Sequence, residues 1–377
     1  MKKSLPLPSL ARPLALVGVA LFFALKEPSF LGARNLTQLF IEFSIVGTLA
    51  LGMFLIILTG NIDLSVGSGV GLIGGLAAVL ITQHDFPAAL GLTVALGAAL
   101  GLWTLMGALI VRQHIPSFII TLGGLLIFKG LFWLVIQNST VNVARGDEDN
   151  LYSLLTTYYL PHTVGLGLAI AGTAAAALLA WRGRAARLAA GLPGPTLLRT
   201  LGAPLAGGLL LVAVAVVCNR FRGVPLPLLI LGVVTLAVFY LSRHTPFGRH
   251  LYAIGGNEDA ARLSGIEVEK VLIGAFALMG VAVAVTGFML TAYSGASTTT
   301  VGELMELDAI AACVIGGTAL RGGRGSVWGV LFGALIMTAL LNGMTLIAVA
   351  PELKFIARGA VLAVAVWLDV RFSAAGR

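Results

Sequence analysis

The sequence predicts an all-α polytopic membrane protein of about ten transmembrane helices, and three observations carry that prediction. Hydrophobic residues make up 58% of the 377 and charged residues only 11%, with a mean hydropathy of +1.00. A soluble domain carries about 25% charged residues, so a water-soluble protein of this composition would have almost no polar skin. The apolar residues also lie in long unbroken runs, not in the roughly 10-residue alternating segments of a membrane β-barrel. Finally, apolar dominance excludes disorder. Two cysteines, Cys218 and Cys313, sit inside apolar runs, where they act as small hydrophobes and staple nothing.

A span needs about 20 apolar residues. At the start, Lys2, Lys3 and Arg12 precede an apolar stretch at 13–25. The layout is that of a signal peptide, but no small-x-small cleavage site follows before Lys26, so the stretch is read as a retained first span. Runs at 39–58, 86–111 and 115–136 are clear spans, and 64–82 is a shorter, glycine-broken one. The runs at 163–181, 200–218, 226–241, 271–293 and 327–341 follow. Short candidates at 307–320 and 355–369 complete twelve segments, two or more of them expected to be half-helices that enter the membrane without crossing it.

Charge sets the orientation. With the N-terminus inside and all twelve segments crossing, 16 of the 24 Lys and Arg fall on the inner side and 7 on the outer, with Lys129 inside a span. That bias obeys the positive-inside rule. An even number of crossings, ten or twelve, puts both termini in the cytoplasm. The net charge of +8, which in a soluble protein would point to nucleic acid, is therefore an orientation signal, and no nucleic-acid partner is expected. The chain reads as one membrane-spanning domain over 1–377. Its external loops are 138–162 (with Asp147, Glu148 and Asp149) and 294–306 (with Glu303 and Glu306), and its largest internal loop is 242–270.

Two polar motifs interrupt the apolar runs. In Gly60-Asn61-Ile62-Asp63-Leu64-Ser65, an ionised carboxylate facing lipid would be costly, so Asp63 must cap a helix, face water or pair with a cation. A cap on the helix that follows is the nearer reading, although broken helices are also where transporters build sites. The second motif starts at Glu306-Leu307-Asp308 and ends in Gly316-Gly317. It repeats the outline of an acid, small residues and paired glycines, and the orientation count places the two starts on opposite faces. An inverted repeat and two independent acidic caps both fit. Asn61, Asp63, Ser65 and Asp308 are the candidates for lining a pathway. Glu42, Lys129 and Asn342, isolated inside spans, either line it too, pair with neighbouring helices or snorkel.

The chain carries no catalytic signature. It has no His-Glu-x-x-His, no Gly-x-Ser-x-Gly and no phosphate loop ending in Gly-Lys-Ser/Thr, and its five histidines lack metal-ligand spacing. It is not expected to be an enzyme or to hold a metal; if ATP drives it, the ATPase is another chain. The internal loop holds a short helix instead. Asn257 is placed as its N-cap, Glu258 and Asp259 fall in the first turn, Ala260, Ala261 and Leu263 carry it, and Gly265 ends it. A capped surface helix between spans is suited to docking in another protein's groove.

Four blocks then carry a resemblance: GNIDLSVGS at 60–68, PSFIITLGG at 116–124, FGRHLYAIGGNEDAARLSGI at 247–266 and ELDAIAACVIGGTALRGGRGS at 306–326. Over about residues 31–369 the chain resembles the bacterial sugar ABC-importer permeases, the membrane subunits of ribose, galactose and xylose systems. The segment 181–225 looks most like the xylose type. The resemblance implies a fold similar to the cobalamin-importer permease class and a place in the bacterial inner membrane. It implies a second permease subunit (a homodimer), cytoplasmic ABC ATPase subunits that hold ATP and magnesium, an extracytoplasmic sugar-binding protein and a monosaccharide such as xylose. No cofactor is implied in this chain itself. The family's ATPase-contacting loop matches Gly255, Gly256, Asn257, Glu258, Ala260, Ala261, Arg262, Ser264 and Gly265. Arg321 and Arg324 make the 319–326 loop more basic than the family pattern. A different reading of the residues is an ion- or proton-coupled secondary transporter, with Asp63, Asp308 and Lys129 as a relay.

Overall fold

A computed structural model describes residues 7–146 and 149–374. Lys2, Lys3, Asp147, Glu148 and Arg377, which enter the orientation and loop readings, lie outside the described residues. The apolar runs fold as helices in order: α1 (Leu7–Lys26), α2 (Ala33–Leu58), α3 (Val66–Thr82), α4 (Ala88–Gln113), α5 (Ser117–Val135), α6 (Leu151–Thr157), α7 (His162–Ala189), α8 (Leu197–Asn219) and α9 (Leu226–His244). The second half comprises α10 (Pro246–Gly256), α11 (Glu258–Leu263), α12 (Val268–Ser294), α13 (Met305–Ile315), α14 (Val327–Leu346) and α15 (Pro351–Ala374). Eight of them, α2, α4, α5, α7, α8, α9, α12 and α14, are long and apolar enough to cross a membrane. The all-α polytopic class is borne out.

One expected span is shorter than its apolar run. Residues 307–320 form no crossing helix. The eleven-residue α13 stops at Ile315, Gly317 turns with φ +80°, and the Thr318 N–H returns to the Cys313 carbonyl. At 1.5 Å per residue α13 spans about 16 Å, half of a hydrocarbon layer. The loops at 138–162 and 294–306, expected on one face, do lie together. The two-residue strand β1 (Val141–Asn142) pairs antiparallel with β4 (Ala296–Ser297), and β2 (Tyr159–Leu160) pairs with β3 (Val224–Pro225).

The core gathers around α12, which packs on α2, α3, α4 and α6. Lipid is as apolar as leucine, so membrane helices associate through close packing and interhelical hydrogen bonds. Both are present. A Cβ on Gly280 of α12 would sit 2.7 Å from the Ala99 carbonyl, so the backbones of α12 and α4 nearly touch. Glu42 of α2 accepts hydrogen bonds from Asn342 of α14 and Tyr293 of α12, each at 3.1 Å, and Asn35 donates to Asn342 at 3.0 Å. Of the isolated polar residues, Glu42 and Asn342 therefore pair with neighbouring helices. By contrast, α7 and α8 pack mainly on each other and leave their Leu, Val and Ile faces uncovered, as helices bathed in lipid do.

Candidate functional site

The loop 242–270 folds as two helices end to end. α10 opens with Pro246 and with the Thr245 hydroxyl accepting from the Gly248 N–H. α11 is built as its sequence requires. Asn257 Oδ1 accepts from the Ala260 N–H at 2.9 Å, and Arg262 pairs with Glu258 at 2.9 Å across one turn. Gly265, at φ +83°, closes the helix: its N–H bonds to the Arg262 carbonyl and the Ile266 N–H to the Ala261 carbonyl. Replacing Asn257 by alanine removes the cap and is expected to cost the helix about 1 kcal/mol. Amide exchange in 258–264 should then run about fivefold faster, and unchanged exchange would refute the cap's role.

The two faces of α11 differ. Ala261 is buried against the body of the protein, while Leu263 is 91% exposed. A sequence reading groups them as equal carriers of the helix, because six residues are too few for a period to show. Leu263 is thus the apolar side chain that the doubly capped turn presents outward.

Behind this surface, α10 rests on backbone. The Gly323 N–H donates to the Leu58 carbonyl at the end of α2 at 2.9 Å. A Cβ on Gly255 would collide with that carbonyl and with the Gly323 nitrogen, and would lie 2.9 Å from the Gly322 Cα. Gly322 and Gly323 both have positive φ (+84° and +73°), a turn that only glycine makes without strain. Tyr252 donates to the Gly325 carbonyl at 3.1 Å. Burial pushes its phenol above its ordinary value, with Arg243 opposing, so it remains a neutral donor. α10 thus touches the end of α2 and the loop that follows α13 at one foot. Arg321 and Arg324 are exposed beside it.

From that foot the chain 59–65 leads into α3. Asp63 is fully buried, with Oδ1 accepting from the Ser65 N–H (2.8 Å) and hydroxyl (2.6 Å) and Oδ2 accepting from Trp103 Nε1 of α4 (2.7 Å). The expected cap on α3 is replaced by this tighter turn. Ser65 occupies the N-cap position with helical dihedrals, and its side chain makes no capping bond. Asn61 donates to the Thr59 hydroxyl at 2.9 Å. Asn61, Asp63 and Ser65 lie together in one short stretch. Asp308 lies apart from them on α13, paired with Arg358 of α15 at 3.1 Å. Lys129 pairs with Glu303 at 3.8 Å. The three residues of the relay reading, Asp63, Asp308 and Lys129, each engage different partners.

The starts of the two broken helices meet. Gly67, in the first turn of α3, lies against the Glu306 carboxylate in the first turn of α13, and a Cβ there would reach the Gly302 carbonyl at 2.7 Å. Gly302 and Leu304 are both left-handed (φ +84° and +62°), so the 294–304 loop doubles back into α13. Two helix N-termini, each carrying about half a positive charge, therefore converge. Beside them opens a cavity of about 280 Å³, lined by Ser68, Leu125, Lys129, Phe132, residues 299 and 301–304, and Glu306. The sequence marks Lys129 as unusual and Glu306 as the start of the second polar motif, but places both Glu303 and Glu306 in a Ser/Thr/Gly-rich loop. Their signal is on α3, where glycines at 67, 71, 74 and 75 keep one flank bare for another backbone. Among the described residues no group of three or more His, Cys, Asp and Glu could hold a metal.

A bundle of membrane-spanning helices, interrupted by two broken helices that meet at a polar cavity, defines a multi-pass membrane permease. The chain belongs to the family of branched-chain amino acid transport system permease components, whose model matches residues 35–366. It is similar to the xylose transport system permease protein XylH of Escherichia coli (strain K12), 40% identical over 370 residues that cover 97% of this chain and 93% of that one. The XylH of Haemophilus influenzae is 40% identical over 93% of this chain and 92% of its own. The ribose import permease protein RbsC of E. coli K12 is 33% identical over 91% of this chain and 88% of its own. These relatives bear out the family read from the four sequence blocks. They are permease components of transport systems, not enzymes. No solved structure matches the chain.

Proposed function

We propose that this chain is the membrane-spanning subunit of an ATP-driven importer of a monosaccharide, a pentose of the xylose type, in the bacterial inner membrane. Its termini and the 242–270 loop face the cytoplasm, where an ABC ATPase binding ATP and magnesium docks on 255–265. An extracytoplasmic binding protein delivers the sugar on the opposite side. The observation that carries this reading is the exposed α11 seated, through α10, on the foot shared by both broken helices. Movement there reaches the elements that bound the cavity. The identity to the two XylH proteins supports the pentose. Lys129 supports the second subunit: it lies within α5 on a face where Phe118, Leu122, Leu126 and Trp133 are all exposed. A charge in mid-span is expensive in lipid, and a second copy would cover it.

The test is uptake of labelled xylose into liposomes that hold the permease with its neighbouring ATPase and binding protein. Uptake should require ATP and persist when ion gradients are dissipated; dependence on a gradient alone would overturn the reading. Leu263→Asp should reduce ATPase capture and uptake by about tenfold or more, because docking would then have to desolvate an unpaired carboxylate. Undiminished capture would remove 255–265 from the docking surface.

A further inference from the structure

We propose that the cavity where α3 and α13 meet is the station at which the permease holds the sugar's hydroxyl groups, with Lys129 as donor and with Glu306, Glu303 and the Ser68 hydroxyl oxygen, whose own O–H donates to the Ser65 carbonyl at 3.0 Å, as acceptors. The proposal rests on the import reading above and names four residues that serve it, all different from the pathway candidates Asn61, Asp63, Ser65 and Asp308.

Glu306 is the strongest indication. It is 93% buried (7% exposed), lines the cavity, and makes no hydrogen bond or ion pair with another side chain among the described residues. The contrast with its neighbours is plain. Asp63 accepts three hydrogen bonds and Asp308 has Arg358. Of the three, Glu306 is the one with no partner side chain, and its carboxylate bonds only to its own backbone N–H beside the cavity. The charged groups near it are Asp308, Lys129 and Arg358.

The second indication is the looseness of the Lys129–Glu303 pair. At 3.8 Å, with side chains 39% and 45% exposed, the two ends stand too far apart for a hydrogen bond. Both keep donors and acceptors for a third party between them. The walls suit the same ligand. Leu125 offers an apolar side to the C–H face of a sugar ring, with the buried Phe132 behind it, while the orphan N–H groups of the first turn of α3 add donors beside Ser68. About 280 Å³ is at the small end for a ligand site, as a monosaccharide needs. Donors and acceptors are mixed, so the cavity fits a neutral polyol better than an anion or a metal cation.

The experiment uses the full transport complex in liposomes, with the binding protein saturated by xylose or by xylose lacking one hydroxyl at a time. Glu306→Ala and Lys129→Met should each lower maximal xylose uptake by about tenfold, and Ser68→Ala by about threefold. The decisive readout is the pattern across the deoxy sugars. One hydroxyl deletion that slows the wild type should cause no further loss in Glu306→Ala, because its acceptor is already gone. A merely structural role would leave every deletion penalty as in the wild type, and that result would overturn the station while the import reading stood. A wild-type complex that moves no sugar on ATP would instead overturn the import reading. If Glu306→Ala fails to assemble, Ser68→Ala and Lys129→Met carry the same comparison, each against the hydroxyl it would bind.

Discussion

Gly255→Ala should abolish ATP-driven uptake while the chain still inserts and accumulates in membranes. The added methyl meets only backbone: the Leu58 carbonyl, the Gly323 nitrogen and, at 2.9 Å, the Gly322 Cα. None of these can rotate away as a side chain would. Overpacking of this kind typically costs about 1–3 kcal/mol, and α10 can relieve it only by lifting off the foot. The bundle does not depend on that contact, because its core gathers around α12. The loss therefore falls on transmission, and uptake should drop by about tenfold or more for a contact worth that much. Gly232→Ala, where an added Cβ meets open space on α9, serves as the control and should transport normally. Wild-type uptake by Gly255→Ala in the same vesicles would show that the foot carries no signal.

The largest loss of stability should come from Asp63→Ala. It strips the acceptor from the Trp103 indole N–H, the Ser65 hydroxyl and the Ser65 N–H in a pocket with no exposed surface. Each buried donor left without a partner costs about 1–3 kcal/mol, so a loss of about 3 kcal/mol or more is expected. At about 2–4 °C per kcal/mol for a chain of some size, the thermal midpoint in detergent should fall by about 6–12 °C. Asp63→Asn should fall between, since its amide oxygen can still serve Ser65 while its NH₂ opposes the indole N–H. A midpoint within a degree of wild type for Asp63→Ala would mean that this junction is not what pins α3 to α4.

The legibility of the sequence divides along a physical line. A span is a requirement on length and polarity alone, so runs such as 39–58 and 271–293 announce α2 and α12 directly. A half-helix announces nothing of the kind. Residues 307–320 are apolar but for Asp308 and Thr318, and only Gly316-Gly317 hints that the chain turns back midway. The caps of α11 were readable because Asn257 and Gly265 act on their own neighbours. Asp63 was half readable. Burial demanded a partner, but the Trp103 indole comes from 40 positions away. Glu303 and Glu306 were legible only as acids of the external loop 294–306, because nothing local records that this loop folds down against α3. Which of Ala261 and Leu263 faces out is likewise decided by what α11 packs on, not by its own six residues.

The foot beneath α10 is a linkage without backlash. Side chains between moving parts act as springs, whose rotamers yield before the load is passed on. Where Leu58, Gly255, Gly322 and Gly323 meet, the bearing surfaces are peptide planes, which are stiff. On the proposed import reading, a small stroke at the surface helix would pass through this stiff contact to the end of α2 and the loop after α13, the segments that lead into and out of the two broken helices.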